Sequence, residues 1–169
     1  MNFMGFDIGW NQIAFSVIDE NEKLIYYNMH CYEEPILHNI FEKCLNLIDR
    51  FNPTVVGVEC PFGRNPKALI MLSEVKGSIR LACQERERIC VDMTPNQARA
   101  MTGKIANSDK DRKKKVIENT NRYYKEKNKN FPWFDKLDTE NEHIADSVNV
   151  ALYTLNIAKK ELGSIFKCQ

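Results

Sequence analysis

Five side chains stand where their types and spacing could do chemistry. Asp7 interrupts the apolar run from Phe3 to Ile8, and Glu59 closes the apolar, β-branched run from Thr54. An ionised carboxylate in such a run is costly unless it is paired or binds a cation. Glu142, His143 and Asp146 follow near the C-terminus, spaced so that all three share one face of a helix. Carboxylate oxygens in that company suit Mg²⁺ or Mn²⁺ better than zinc. A pair of such ions about 4 Å apart can activate water and neutralise a leaving 3′-oxygen in phosphodiester hydrolysis, with no covalent enzyme intermediate. Taken singly, each acid reads as an ordinary strand-end carboxylate reaching solvent. The chemistry depends on their meeting.

Whether they meet depends on the elements that carry them. Apolar runs at 3–8, 13–18 and 24–29, the last two separated by the polar turn Asp19 to Glu22, predict an antiparallel three-stranded meander. Ile36, Leu37, Ile40, Phe41, Cys44, Leu45 and Ile48 recur at three- and four-residue steps and predict a helix from about 35 to 50, broken by Asn52-Pro53. The run 54–59 then reads as a buried strand parallel to the first, because a helix precedes it. After a loop at 61–65 come a long helix (about 66–87), a strand (89–93), a short helix (95–101) and a charged helix with little apolar face (109–127). A polar and aromatic loop leads to a final helix (about 140–160) with Ile144, Val148, Ala151, Leu152 and Leu155 on its core side. The pattern predicts one α/β domain over residues 1–169. Its mixed five-stranded sheet combines the meander with parallel strands and carries helices on both faces. Asp7 and Glu59 then emerge at the edge where α/β sheets bind ligands.

Composition narrows the class. From Lys104 to Lys129 there are ten Lys/Arg against four Asp/Glu, in a chain whose net charge is +1. A basic segment on a mildly acidic body suits a polyanion, although a solvated helix face has the same composition. The six cysteines form no C-x-x-C pair, and the spacing of His30, Cys31, His38 and Cys44 matches no common zinc module. Reduced thiols in a cytoplasmic protein are expected. No signal peptide and no membrane-spanning apolar run is expected either. A sugar-kinase-like phosphotransferase would share an Asp-x-Gly hairpin but needs a second glycine-rich phosphate loop, which these seven glycines do not form. A non-catalytic DNA-binding scaffold would leave the acids unexplained.

Three blocks resemble one family. FMGFDIGWNQIAFSVID resembles the first hairpin of RuvC-type Holliday junction resolvases, which have the ribonuclease H-like fold. VVGVECPFGRNPKALIMLSEVKGSI resembles that family's strand-ending Glu, following aromatic and long dimer-forming helix. EHIADSVNVALY resembles its last block, with His or Asp three residues before a metal-binding Asp. The resemblance implies Asp7, Glu59, His143 and Asp146 as catalytic residues holding Mg²⁺ or Mn²⁺, two ions per site, with Glu142 beside them. It implies a homodimer that cuts four-way DNA junctions with symmetric nicks. A related nuclease for flaps, forks, other branched DNA or RNA would carry the same metal site. Phe62 is the aromatic that would stack on an unpaired base, or else pack in the core. Lys104 and Lys110 fall where the family keeps catalytic or phosphate-binding lysines. The run including Lys113 and Lys114, and Arg64 and Lys67 near Phe62, could follow backbone phosphates or be surface charges. The helix 66–87 has an apolar girth that fits either a dimer surface or burial on two sides. Its shortness and Lys-, Asn- and Ile-rich composition suit a phage or viral member acting in a host cytoplasm.

Overall fold

A computed structural model of the chain describes residues 1–33, 36–62, 65–103, 105, 111–127 and 139–166, with side chains from 142 to 161 in the last stretch. Three strands open it, β1 (Asn2–Ile8), β2 (Gln12–Asp19) and β3 (Leu24–Cys31), followed by α1 (Leu37–Phe51) and β4 (Pro53–Glu59). Then come α2 (Pro66–Glu85), β5 (Ile89–Met93), α3 (Pro95–Arg99), α4 (Arg112–Glu126) and α5 (Thr139–Phe166). The sheet order is β3-β2-β1-β4-β5, with β1 antiparallel to β2 and parallel to β4. The meander and the parallel pairing expected from the sequence are both present.

Local chemistry sets the element ends. Asn52 closes α1 in the left-handed region (φ 44°), a conformation Asn tolerates, and Pro53 cannot continue the helix. Asn65 caps α2 by accepting from the backbone N–H of Lys67 and Ala68, with Pro66 in the first turn where a missing N–H costs nothing. Thr94 and Gln97 form a capping box on α3.

Alternation along the strands assigns each residue to a face. Met4, Phe6, Val56 and Val58 pack with Ile40, Ile48, Val75 and Ile79 beneath α1 and α2. Phe3, Ala14, Ile18 and Val55 pack on the other face against Ile144, Val148, Ala151, Leu152 and Leu155 of α5. Parity therefore puts Gly5, Asp7, Gly57 and Glu59 on the α5 face. Gly5 pairs with Gly57 in the parallel ladder and with Ser16 in the antiparallel one. A Cβ on Gly5 would run into the backbone of Ala151 and Ser147, and one on Gly57 into the Thr154 hydroxyl. Ser16 hydrogen-bonds Ser147 across the same contact. The small residues at the middle of three strands let α5 lie directly on the sheet.

Two expectations need correction. The charged helix has more apolar face than its composition suggests: α4 buries Val116, Ile117, Thr120 and Tyr124 among residues of the α5 core. A stripe of four is enough when the other face is solvated. The last helix also runs on to Phe166, past the expected end at 160. Among the described residues, no helix is long and apolar enough to cross a membrane.

The close approach of α5 yields a test. Gly5→Ala should destabilise the fold by about 1–3 kcal/mol, because the obstacle is helix backbone that cannot rotate away. Denaturant unfolding would measure it; an unchanged midpoint would mean that α5 does not rest on Gly5.

Candidate active site

The two strand-borne acids are brought side by side by register. Phe6 pairs with Val58, so Asp7 and Glu59 occupy the next rung on the face toward α5. Helix α5 then presents His143 and Asp146 over that rung. His143 Nδ1 lies 2.6 Å from Asp7 Oδ2, and its Nε2 lies 2.6 Å from Gln12 Nε2. With Nδ1–H donating to Asp7, Nε2 is left to accept from the Gln12 amide. Burial works against the imidazolium. The hydrogen bond to Asp7 and the charges of Asp7, Glu142 and Asp146 outweigh it and raise the His143 pKa.

Asp146 is almost fully enclosed and holds Arg99 in a two-pronged bond. The guanidinium Nε donates to Oδ1 at 2.8 Å and an Nη donates to Oδ2 at 2.6 Å. Burial pushes the Asp146 carboxyl up to about 6 even though Arg99 pulls it down. The Arg99 pKa is raised too: burial works against the guanidinium, but the bond to Asp146 and the charges of Asp146, Glu59 and Asp7 outweigh it. Glu142 is buried and ion-paired to Lys113 at 2.8 Å.

Glu59 differs from the other acids. Its buried Oε2 has neither a hydrogen-bond partner nor an ion pair among the described residues, whereas Glu142 Oε2 has Lys113. Burial first, then the charges of Asp7 and Asp146, pushes its pKa up to about 9, against the opposing pull of Arg99 and Arg112. Its surroundings therefore favour the protonated form of Glu59. A cation would reverse that preference by supplying the counter-charge it lacks.

The donor set fits a hard divalent ion: carboxylates of Asp7, Glu59 and Asp146, the Glu59 Oε2 being without a hydrogen-bond partner among the described residues, and one imidazole. As placed, however, no three His, Cys, Asp or Glu side chains among the described residues enclose a cation. His143 and Arg99 occupy oxygens of Asp7 and Asp146 that an ion would need. Sequence reasoning assigned no role in the site to Arg99, Arg112 or Gln12. Gln12 was detectable by parity, since it precedes Ala14 and Ser16 on the α5 face of β2. Arg99 was detectable only on the principle that a buried acid needs a counter-ion.

Outside the acids, the site opens into a cleft of about 540 Å³ lined by Ile8, Glu59, Cys60, Phe62, Arg99 and Arg112. Phe62 is 88% exposed at that cleft, which rules out the core-packing alternative. Lys67 is exposed on the first turn of α2. Lys113 reaches the site through Glu142, whereas Lys114 pairs along α4 with Glu118 at 3.7 Å. Arg64, Lys104 and Lys110 lie outside the described residues.

The sheet order, the helices on both faces and the acids on one edge define an α/β protein of the ribonuclease H-like fold. Two solved structures share that fold over 96% of this chain. One is RuvC of Thermus thermophilus in complex with Holliday junction substrate (TM-score 0.70, 19% identity, 96% of that chain). The other is the yeast mitochondrial Holliday junction resolvase (TM-score 0.65, 12% identity, 83% of that chain). The profile of the family described as crossover junction endodeoxyribonuclease RuvC matches residues 3–129, and the chain belongs to that family. Curated relatives carry the same description. One from Christiangramia forsetii is 29% identical over 110 residues, 59% of this chain but only 57% of its own length. One from Prochlorococcus marinus is 28% identical over 126 residues, 70% of this chain and 78% of its own. The family match ends before α5, so His143 and Asp146 join the site through the fold rather than through that match.

Glu59 supplies a pH test with a definite sign. Its folded pKa of about 9 lies above the ordinary 4.5, so the fold keeps a proton that the unfolded chain has lost. Its contribution to stability is therefore present below pH 4.5 and is lost as pH rises toward 9. In EDTA, Glu59→Gln should raise Tm at pH 8 and change it little at pH 4.5. The variant should also lose the Mn²⁺-induced rise in Tm. Equal Tm values at pH 8, or an intact Mn²⁺ response, would remove Glu59 from the site.

Proposed function

We propose that this chain cuts four-way DNA junctions, as a metal-dependent crossover-junction endodeoxyribonuclease placing symmetric nicks. Family membership supports the reaction class. The observation that carries the reading is Glu59, whose buried Oε2 has no hydrogen-bond partner among the described residues and whose carboxyl feels the charges of Asp7 and Asp146. Asp7, Glu59 and Asp146, with His143, would hold two Mg²⁺ or Mn²⁺ ions. When bound, these ions activate water for in-line attack and offset charge on the leaving 3′-oxygen.

The chain's own residues do the remaining work. Asp7 orients the His143 ring, so that Nε2 can take or give a proton at the site's edge. Lys113 anchors Glu142 on α5, keeping the acidic turn against α4. Phe62 offers an exposed ring at the cleft on which a base unstacked at a crossover can rest. Lys67, Lys113 and Lys114 carry charge toward the duplex arms. The family resemblance extends the same role to Arg64, Lys104 and Lys110.

A homodimer completes the proposal, because two symmetric cuts need two sites. Helix α2 buries Val75, Ile79, Ala82 and Cys83 inward and leaves Ile70 and Leu81 exposed, which supports a second copy packing there. Free thiols at Cys31, Cys44, Cys60, Cys83 and Cys90 suit action in a cytoplasm.

A panel of four-way junction, flap, fork and linear duplex tests the substrate. The junction should be cut fastest, and linear duplex cut as fast would refute the junction reading. Asp7→Asn and Asp146→Asn should each slow Mg²⁺- or Mn²⁺-dependent cleavage by at least about a hundredfold while junction binding persists. Cleavage surviving in both would overturn the mechanism. Phe62→Ala should slow cutting without altering the dimer mass by light scattering, in keeping with stacking worth about 1–3 kcal/mol per base.

A further inference from the structure

Arg99 has a position that its bond to Asp146 does not exhaust. Its side chain is only 11% exposed and Asp146's only 3%, so the pair is held out of water. The same arginine lines the open cleft together with Arg112 and the exposed Phe62. Both guanidinium groups are near enough to Glu59 for their charge to act on it. Two arginines thus border the space in which a phosphate held at the acids would lie. One of them is occupied by a carboxylate that a cation would claim.

We propose that Arg99 is a DNA-phosphate-binding residue kept in reserve on Asp146 and transferred to a backbone phosphate, beside Arg112, when a divalent cation takes its place. This rests on the reading of the site as a nuclease centre. The physical reason is charge balance. A guanidinium in this position is stable only with an anion in contact, because an unpaired buried charge is costly. A cation on Asp146 removes that anion and adds like charge next to Arg99. The planar fork that spans Asp146 Oδ1 and Oδ2 matches two oxygens of a phosphate equally well. The DNA supplies the replacement anion in the same cleft. Cation and DNA therefore bind cooperatively, and the coupling is reciprocal. Lysine at this position would keep the charge but lose the two-pronged fit.

The test uses the full chain and a fluorescently labelled four-way junction, with anisotropy read in EDTA and in Ca²⁺, chosen to permit binding without cleavage. In the wild type, Ca²⁺ should tighten junction binding at least about fivefold, the lower end of ordinary coupling between sites. Arg99→Gln should bind in EDTA like the wild type and lose the Ca²⁺ tightening. Isothermal titration of Mn²⁺ without DNA should show it binding Mn²⁺ more tightly, since a competitor for Asp146 is gone. Asp146→Asn should act in the opposite sense, freeing Arg99 and tightening junction binding in EDTA. Its slope of log affinity against log salt should steepen by about 0.9, one added phosphate contact. The double variant should lose both gains.

Equal weakening by Arg99→Gln in EDTA and in Ca²⁺ would make Arg99 a constant phosphate ligand and overturn the transfer. No change in either condition would make the pair purely structural and overturn it too. Should Arg99→Gln fail to fold, Asp146→Asn decides alone: an unchanged salt slope in EDTA overturns the proposal. The same titrations on linear duplex separate the two readings. Duplex bound as tightly as the junction, with the coupling intact, would refute junction selectivity and leave the role of Arg99 standing.

Discussion

Helix α5 rests on the sheet where Gly5 and Gly57 leave no side chain between strand and helix and Ser16 meets Ser147. Everything at the site follows from that contact. It sets how deeply α5 reaches over the strand ends, and so places His143 and Asp146 above Asp7 and Glu59. It also walls the acids off from water on one side, which gives their charges large effects on one another. A bulkier residue at Gly5 or Gly57 would lift the helix and separate the two halves of the site. The packing of the core and the geometry of the acids are thus one constraint.

Burying several carboxylates together is unfavourable, and the chain offsets it with two internal cations, a hydrogen-bonded imidazole and a proton. Asp146 has Arg99, Glu142 has Lys113, Asp7 has His143, and Glu59 keeps its proton. This arrangement stabilises the fold without metal and explains why no ready cage stands open among the described residues. In the proposed reading, cation binding would be an exchange of partners rather than the filling of a hole. Such exchange makes ion affinity depend on pH, because ligands must be deprotonated.

Much of this was legible in the sequence. Alternation fixed the faces of β1 and β4, and the helical spacing of Glu142, His143 and Asp146 put them on one side of α5. The order of strands followed from Asn52-Pro53 ending a helix before a β-branched run. The apolar stripe of α4 was harder to read, because four buried positions are diluted among Lys and Arg in the sequence. The counter-ions were harder still. Arg99 lies 47 positions from Asp146, and nothing local distinguishes it from any arginine at a helix end. Pairings of that kind are decided by tertiary packing, which no short motif records. Gln12 falls between these cases, marked by strand parity but not by residue type.

Asp7, Glu59 and Asp146 are proposed to form one cation site that the chain closes with its own side chains. Anomalous diffraction from crystals of the chain soaked in Mn²⁺ tests it most directly. Mn²⁺ density is expected in contact with Asp7, Glu59 and Asp146, with the Arg99 guanidinium displaced from Asp146. Mn²⁺ bound elsewhere, or no Mn²⁺ with Arg99 still on Asp146 at saturating ion, would contradict it.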